Sequence, residues 1–360
     1  MLPSKTAVFC LRIDYGYHLV MKTMRSKLPL LLTLIALAGC SPDSSSQTSL
    51  DADLLPAIVS ETYTVSHNGI EIRLYKKQLQ DTKPQANKTL VLLPSATFSV
   101  LPNWDLQHDD SSLMDHFAKS GWVVFAIDLP GYGNSDNPPE PETFGAVEST
   151  EYINTAVNFI CEDIGIETVN LLGWSWGAQA AGRFTNTHPE RVSKLVLYGF
   201  TYQRRLPESV LPKQPYRVLD FEGAISDFVD GCFQPGLPDA YANAVLDSDH
   251  DQLVPSGPLN DFVNRLPLVA PDQLAMPVLV ISGQYELEQP PNSDGDYSEY
   301  FQARRKDLER FCKQVPNGQC EMAVISGGGH AIHLEKPKHQ WRNTVLEFFA
   351  GDSAPQKGQD

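Results

Sequence analysis

One stretch near the middle of the chain, residues 169–177 with the sequence VNLLGWSWG, restricts the possible folds more than any other. Residues 169–172 have the pattern of a short buried strand, and the residues after Gly177 favour a helix. A strand that passes into a helix through so few residues needs a sharp turn. Glycines two positions before and after Ser175 remove the Cβ atoms that would collide there. The stretch therefore predicts that the Ser175 hydroxyl is held between a strand and a helix.

Strand-like and helix-like segments alternate on both sides of this stretch. Strands are predicted at residues 62–67, 71–78, 90–93, 122–127, 169–172, 194–198, 277–282 and 321–325, and helices at 111–120, 144–164, 178–188, 297–315 and 337–349. This alternation predicts an α/β fold with a mainly parallel sheet and helices on both faces. Residues 204–272 interrupt it, because prolines recur there between short helical pieces and no strand pattern is convincing.

The N-terminal region has the pattern of an export signal. Residues 21–39 begin with basic side chains, continue with an apolar run over 28–38 and lead into Leu-Ala-Gly-Cys. The apolar run is far shorter than the ~20 residues that cross a bilayer, which favours a signal peptide over an anchor helix. Its ending resembles the lipobox of bacterial lipoproteins, which implies that Cys40 is lipidated and becomes the N-terminus. An ordinary secretory signal is the alternative.

The remaining terminal segments carry no core pattern. Residues 1–20 are predicted to be untranslated or unstructured, and residues 40–57, rich in Ser and Asp, to form a flexible tether. Residues 351–360 are predicted to form a disordered tail. Between them, residues 58–203 and 273–350 are predicted to build one α/β core, with residues 204–272 as a cap inserted into it.

The charge and the cysteines exclude some classes of partner and ligand. Five of the 28 basic residues and one of the 44 acidic residues precede Cys40, so the chain beyond it has a net charge of −20. Such an acidic surface excludes nucleic acid as a partner. The cysteine spacings match no zinc site, and no metal, nucleotide or flavin is expected. Export favours a disulfide between Cys312 and Cys320, whereas Cys161 and Cys232 are as consistent with free thiols as with a bridge.

Serine needs a base, and the sequence provides candidates downstream. His330 follows the predicted strand 321–325 in Ser-Gly-Gly-Gly-His, which places its imidazole at the same sheet edge as Ser175. An imidazole there can accept the serine proton and return it to a leaving group. His333 is the alternative base, although a helix start would turn it towards another face.

These motifs together resemble the α/β-hydrolase superfamily over roughly residues 62–350. The resemblance is carried by Asp-x-x-Gly-x-Gly-x-Ser at 128–135, Gly-x-Ser-x-Gly at 173–177, His-Pro-Glu-Arg-Val at 188–192 and Gly-His-(x)4-Glu-x-Pro at 329–337. It implies an eight-stranded, mainly parallel sheet and a small, mobile helical cap over the site. It also implies that the acid partner of His330 lies in Gly-x-x-acid after the strand 277–282. That position is Glu286, where relatives usually have Asp; Glu288, Asp294 and Asp296 remain alternatives.

The resemblance further implies two backbone donors for an oxyanion. One is the N–H of Trp176, which follows Ser175. The other is the N–H of Ala96 or Thr97, because Pro94-Ser95 stands where many relatives have His-Gly and proline has no N–H. Three aromatic residues, Phe98, Trp104 and Trp174, are expected either to line an apolar acyl pocket or to belong to the core.

The expected function is a serine hydrolase that cleaves a small carboxylic ester or lactone through an acyl-enzyme, with Ser175, His330 and Glu286 as the triad. Alternatives are a ligand-binding protein of the same fold without catalysis, a peptidase, a C–C bond hydrolase or a cofactor-free oxygenase or peroxidase. Lipidation of Cys40, followed by a polar residue other than Asp, implies an outer-membrane anchor that faces the periplasm. Oligomeric state is not predicted.

Overall fold

Eight strands form a single sheet in the order β1-β2-β4-β3-β5-β6-β9-β10. The structure, a computed structural model, describes residues 56–247, 253–290, 293 and 295–351. Strands β3 to β6, β9 and β10 are parallel, whereas β1 and β2 are antiparallel to their neighbours. The predicted eight-stranded, mainly parallel sheet is thereby confirmed. The strands are β1 Ile58–His67, β2 Ile70–Leu79, β3 Thr89–Leu93, β4 Val123–Asp128, β5 Val169–Trp174, β6 Val192–Tyr198, β7 Tyr216–Val218, β8 Leu253–Pro255, β9 Val278–Gly283 and β10 Cys320–Ile325.

Ten α-helices connect or extend these strands within the described residues. Strands β3, β4, β5 and β9 are buried at every position, as expected for strands that are covered on both faces. The predicted helices lie within two residues of the observed ones, and the short helix before residue 105 was not predicted. The helices are α1 Val100–Trp104, α2 Leu113–Lys119, α3 Ala146–Ile164, α4 Trp176–Thr187, α5 Phe221–Ala224, α6 Leu237–Leu246, α7 Gly257–Asn260, α8 Gln284–Leu287, α9 Ser298–Gln314 and α10 Lys338–Ala350.

An insertion separates β6 from β9 and contains α5, α6 and α7. It also contains two strands, β7 and β8, which form an antiparallel ribbon of their own. These two strands are not predicted from the sequence, which shows no convincing strand pattern in this region. Each strand has three residues, so its conformation depends on pairing with a distant partner and leaves no periodic pattern in the sequence. A π-helical turn, Asp261–Arg265, follows α7.

The amino end of β1 lies on the same side of the sheet as the amino ends of the parallel strands. Ile58 pairs with Leu79 of β2, beyond the point where Lys77 pairs with Val124 near the start of β4. Ser175, in contrast, follows the carboxyl end of β5. The chain therefore enters the sheet on the side opposite to Ser175.

The cysteines of the described region fall into two groups. A disulfide joins Cys312 of α9 to Cys320 of β10, whereas Cys161 and Cys232 are buried free thiols. No helix within the described ranges is long and apolar enough to cross a membrane. Those ranges do not include residues 1–20, the predicted signal peptide at 21–39, Cys40, nearly all of the predicted tether or the residues after Gly351.

Candidate active site

Ser175 occupies the turn between β5 and α4 in a strained backbone conformation. Its φ is 57° and its ψ is −116°, a region that residues other than glycine rarely adopt. A Cβ atom on Gly173 would collide with the Gly177 carbonyl, and one on Gly177 would collide with the Pro94 carbonyl. Both glycines are therefore required by the close approach of backbone segments, and the strain at Ser175 is held by this packing.

Glu286 and His330 form a buried hydrogen-bonded pair near this turn. The Nδ1 atom of His330 lies 2.8 Å from Oε1 of Glu286, and the two residues are 6% and 3% exposed. Glu286 also accepts a hydrogen bond from Arg304 at 2.8 Å and one from the Gly283 N–H at 3.0 Å. The carboxylate is thus bonded on both oxygens and can orient the imidazole.

The electrostatics of this pair favour an ionised carboxylate next to a basic imidazole. Burial alone raises the pKa of Glu286, but the charge and hydrogen bond of His330 and the charge of Arg304 outweigh it and lower that pKa overall. Burial alone lowers the pKa of His330, but the charge and hydrogen bond of Glu286 raise it above the ordinary value of 6.5. Such a pair suits an imidazole that accepts a proton.

The alternative base and acid lie elsewhere. His333 is fully buried, its Nδ1 lies 3.1 Å from the Tyr198 hydroxyl, and burial lowers its pKa well below the usual value. Glu288 is paired with Arg305 at 3.1 Å. Asp296 accepts a hydrogen bond from the Ser298 N–H, and Asp294 lies outside the described residues.

Two cavities border Ser175. The histidine-side cavity, of about 50 Å³, is lined by Ser175, Glu286, His330, Arg204, Tyr300 and Phe262 among others. Among the described residues no hydrogen bond joins the Ser175 hydroxyl to the His330 ring; such bonds are often long before substrate binds. The structure therefore brings Ser175, His330 and Glu286 to one cavity.

The insertion-side cavity shares only Ser175 with the histidine-side cavity among its lining residues and is larger, at about 330 Å³. Ser95, Ala96 and Thr97 line it from the loop after β3. Its apolar wall comes from the insertion and consists of Val210, Leu211, Pro212, Leu219 and Leu259. Arg217 of β7 also lines it, and its guanidinium donates a hydrogen bond to the Ala96 carbonyl at 2.9 Å.

Of the expected oxyanion donors, Ala96 and Thr97 line this cavity, and Trp176 directly follows Ser175, which also lines it. Trp176 is the first residue of α4, so its backbone N–H has no carbonyl one turn earlier in the helix to bind. The Thr97 N–H points at the Ser95 hydroxyl, 3.4 Å away. Of the two candidates in this loop, Ala96 is therefore the one whose N–H suits an oxyanion better.

The three aromatic residues expected at an acyl pocket lie in the core instead. Phe98, Trp104 and Trp174 are at most 1% exposed, and none of them lines either cavity. Trp174 packs against Phe98, Trp104 and Tyr198, and its indole N–H donates to the His330 carbonyl at 3.0 Å. Of the two alternatives expected for these residues, their burial favours the core, and aliphatic residues of the insertion line the larger cavity. The sequence of the insertion, with no periodic pattern, did not reveal them.

A second buried carboxyl, on Glu335, supports the loop that carries His330. Glu335 is 1% exposed, and its Oε2 atom accepts a hydrogen bond from the Gly329 N–H at 2.5 Å. Burial raises its pKa to about 8, and the nearby charge of Glu286 acts in the same direction. Glu335 is therefore mostly protonated at neutral pH.

Comparisons with known proteins agree with this architecture. Residues 89–256 match the family model described as the alpha/beta hydrolase fold. A 2-hydroxy-6-oxononadienedioate/2-hydroxy-6-oxononatrienedioate hydrolase of Burkholderia vietnamiensis is 33% identical over 145 residues, which are 39% of this chain and 44% of that protein. The chain thus matches less than half the length of this relative.

Two solved structures are similar over most of the chain. The thioesterase domain from the curacin biosynthetic pathway has a TM-score of 0.56 and 14% identity, and the match covers 80% of this chain and 99% of that domain. Carboxylesterase CesB of Bacillus subtilis has a TM-score of 0.54 and 21% identity, with 83% of this chain and 94% of that one covered. With the sheet order and the serine turn after β5, these matches show that the chain has the α/β-hydrolase fold.

Proposed function

We propose that the chain is a serine hydrolase that cleaves a carboxylic ester or lactone through an acyl-enzyme. The observation that carries the proposal is the buried Glu286–His330 hydrogen bond of 2.8 Å at a cavity that Ser175 also lines. A strained serine, a basic imidazole and an ionised carboxylate in chain order Ser, acid, His are typical of this chemistry. A protein that only binds ligands would not need a strained serine beside a paired imidazole.

The proposed reaction follows from the position of each group. The Ser175 oxygen attacks the carbonyl carbon while His330 Nε2 accepts its proton, and the backbone N–H groups of Trp176 and Ala96 stabilise the negative oxygen. His330 then donates the proton to the leaving alkoxide as the C–O bond breaks. A water molecule, deprotonated by the same imidazole, attacks the acyl carbon; the bond from that carbon to the Ser175 oxygen then breaks, His330 returns the proton to this oxygen, and the acid leaves. Glu286 stabilises the imidazolium in both steps.

The sizes of the two cavities suggest which part of the substrate each would hold. The insertion-side cavity has the apolar wall and about 330 Å³ of space, and it is lined by Ala96 and by Ser175. We therefore assign the acyl group to it and the leaving group to the smaller histidine-side cavity. An acyl chain of moderate length suits this volume.

Covalent labelling tests the proposal directly. A fluorophosphonate probe is expected to label the wild-type protein and the Ser226→Ala control, since Ser226 lines the insertion-side cavity away from the strained turn. Ser175→Ala is expected to abolish labelling. A panel of p-nitrophenyl esters of increasing length, with lactones and amides, then defines the substrate class. A folded wild-type protein that is neither labelled nor active would favour the ligand-binding alternative.

A second candidate function, C–C bond hydrolysis, is favoured by one feature of the histidine-side cavity. The Arg204 guanidinium lies 3.9 Å from the centre of the Tyr300 ring, where it can offer a positive charge to a carboxylate. The relative from Burkholderia vietnamiensis is named for a dienedioate, a dicarboxylate. This alternative would be established if the protein turned over a ring-cleavage dienedioate, measured as a loss of the compound's absorbance, and did not turn over esters.

We also propose that the protein is lipid-anchored in a bacterial envelope, at the outer membrane and facing the periplasm. The support is the basic and apolar run before Leu-Ala-Gly-Cys40 and the Ser- and Asp-rich segment after it. Residues 58–203 and 273–350 would then form the catalytic core, and residues 204–272 the cap that shapes the acyl site.

A further inference from the structure

Asp261, at the start of the π-helical turn in the insertion, is a fully buried carboxylate next to the serine turn. Its Oδ2 atom accepts two hydrogen bonds, one from the indole N–H of Trp176 at 2.8 Å and one from the backbone N–H of Ala146 at 2.6 Å. Its other oxygen lies 3.1 Å from Arg265. A buried carboxylate destabilises the fold unless contacts of this kind compensate for its lost hydration. The presence of a carboxylate at this position therefore needs an explanation.

The surroundings of Asp261 leave its carboxylate little freedom. A Cβ atom on Gly145 would collide with it, so α3 begins directly against the carboxylate. Arg265 is held in turn by Glu148 of α3 through two hydrogen bonds of 2.8 Å. Burial raises the pKa of Asp261, and the hydrogen bonds from Trp176 and Ala146 lower it. Burial has the larger effect, so the pKa is about 6. The group is therefore mostly ionised at neutral pH.

The contact to Trp176 reaches the expected oxyanion donors. Trp176 directly follows Ser175, and its indole ring stacks on Tyr132 with ring centres 6.1 Å apart. The Tyr132 hydroxyl donates a hydrogen bond to the Ala96 carbonyl at 3.1 Å. A series of contacts thus connects Asp261 to Trp176, Trp176 to Tyr132, and Tyr132 to Ala96. Trp176 and Ala96, whose backbone N–H groups are the proposed oxyanion donors, both belong to this series.

We propose that Asp261 is a positioning residue for the oxyanion hole, which fixes the backbone of Trp176 by holding its indole N–H. The inference rests on the proposed hydrolase function. An oxyanion donor acts only when it is preorganised, and misplacement by about 1 Å can cost on the order of a hundredfold in rate. Phe262, the next residue, lines the histidine-side cavity, so the same turn also fixes a wall of that cavity.

Two single variants and their combination test the inference. Trp176→Phe removes the indole donor and keeps an aromatic ring, and Asp261→Asn removes the charge and keeps the shape. Each is expected to lower kcat about tenfold with KM changed less than about twofold, because the donor acts on the transition state. The double variant is expected to lose little more than Trp176→Phe alone, since Asp261→Asn leaves only a weaker, uncharged acceptor for the same hydrogen bond, which Trp176→Phe already removes.

Trp122→Phe is the matched control. Trp122 is 2% exposed, precedes β4 at the opposite edge of the sheet and packs against Phe117 and Phe349. Its variant is expected to lower Tm and leave kcat unchanged. Melting temperatures of all variants separate loss of folding from loss of catalysis, and Trp176→Phe decides the question alone if Asp261→Asn does not fold.

Different results would overturn the positioning role of Asp261 and the proposed hydrolase function. If the wild-type protein reacts with a fluorophosphonate and turns over esters, but folded Trp176→Phe keeps the wild-type kcat, the positioning role is wrong and the hydrolase function stands. Losses that multiply in the double variant would also overturn it, because the two residues would then act separately. A wild-type protein without labelling or turnover would remove both proposals.

Discussion

The Glu286 carboxylate is shared among three donors, and this arrangement explains how a buried acid stays ionised. One oxygen is bonded to His330 and Arg304, and the other accepts the Gly283 N–H from the end of β9. Glutamate carries one methylene more than the aspartate usual in relatives. The first turn of α8 accommodates that extra length, because the carboxylate folds back onto the backbone N–H three residues earlier.

Replacement of Glu286 tests its role against a nearby acid. Glu286→Gln is expected to lower kcat by roughly three to four orders of magnitude, because the carboxylate holds the imidazole tautomer and stabilises the imidazolium. The acid limb of the pH profile is expected to move to lower pH, since the charge of Glu286 raises the pKa of His330. Kinetics of Glu288→Gln provide the control, and this variant should remain within about twofold of wild type. A large loss in Glu288→Gln alone would transfer the role to that residue.

The residues of the candidate site differ in how far the sequence can reveal them. Ser175 and His330 each follow the end of a strand in a short motif, so their common edge of the sheet can be predicted from spacing, whereas the position of Glu286 follows from the resemblance to the α/β-hydrolases. Asp261 could not be predicted in this way, because it lies in an irregular turn and contacts Trp176 over 85 positions of sequence. The direction of the Trp104 and Trp174 rings depends on core packing, which composition does not encode.

At the scale of elements, the turn between β5 and α4 depends on two backbone contacts that leave no room for a side chain. Gly177→Ala is expected to abolish activity and to destabilise the fold by several kcal/mol, because the Pro94 carbonyl belongs to a rigid strand end. Gly165→Ala is the control: its φ of 68° is left-handed but nothing lies within 4 Å. That variant should cost only about 1–2 kcal/mol and keep kcat. Equal destabilisation of the two variants by denaturant titration would contradict the role of the collision.

The loop that carries His330 depends on a carboxyl that is protonated at neutral pH. The pKa of Glu335 rises from an ordinary 4.5 to about 8 in the folded protein. Its contribution to stability is therefore complete below about pH 4.5 and is lost progressively as the pH rises to about 8, because the carboxyl ionises in the unfolded chain while it stays protonated in the core.

Glu335→Gln mimics the protonated side chain and should avoid this loss. Between pH 5 and 8, the free energy of unfolding of the variant relative to wild type is expected to rise by up to roughly 1.4 kcal/mol per pH unit and then to level off. Urea titrations across that range measure it. The exposed Glu321→Gln on β10 should show no such trend, and a pH-independent difference for Glu335→Gln would refute the assignment.

The elements of the core could be predicted far better than those of the insertion. Strands such as β3 and β4 are nearly continuous apolar runs between turn residues, and long helices such as α3 and α9 have an amphipathic period, so local sequence suffices. The ribbon of β7 and β8 forms only when segments 37 residues apart meet, as in the pair Arg217 and Val254. No short segment of the sequence therefore shows that these residues pair.

At the scale of the whole molecule, the proposed anchor can be tested separately from catalysis. Cys40→Ala is expected to release the protein from membranes or to block its processing, since a lipid chain inserts with roughly 0.8 kcal/mol per buried CH₂. Fractionation and intact mass measure this, and hydrolysis of a soluble ester by the variant should be unchanged. An unaltered mass and an unaltered membrane fraction would show that Cys40 is not lipidated.

The direction in which β1 enters the sheet has a consequence for the route by which substrate arrives. Ile58 lies at the amino ends of the parallel strands, and Ser175 lies beyond their carboxyl ends. A lipid anchor that precedes Ile58 would therefore join the domain on the side away from the two cavities. Its attachment would leave the approach of substrate to Ser175 unobstructed.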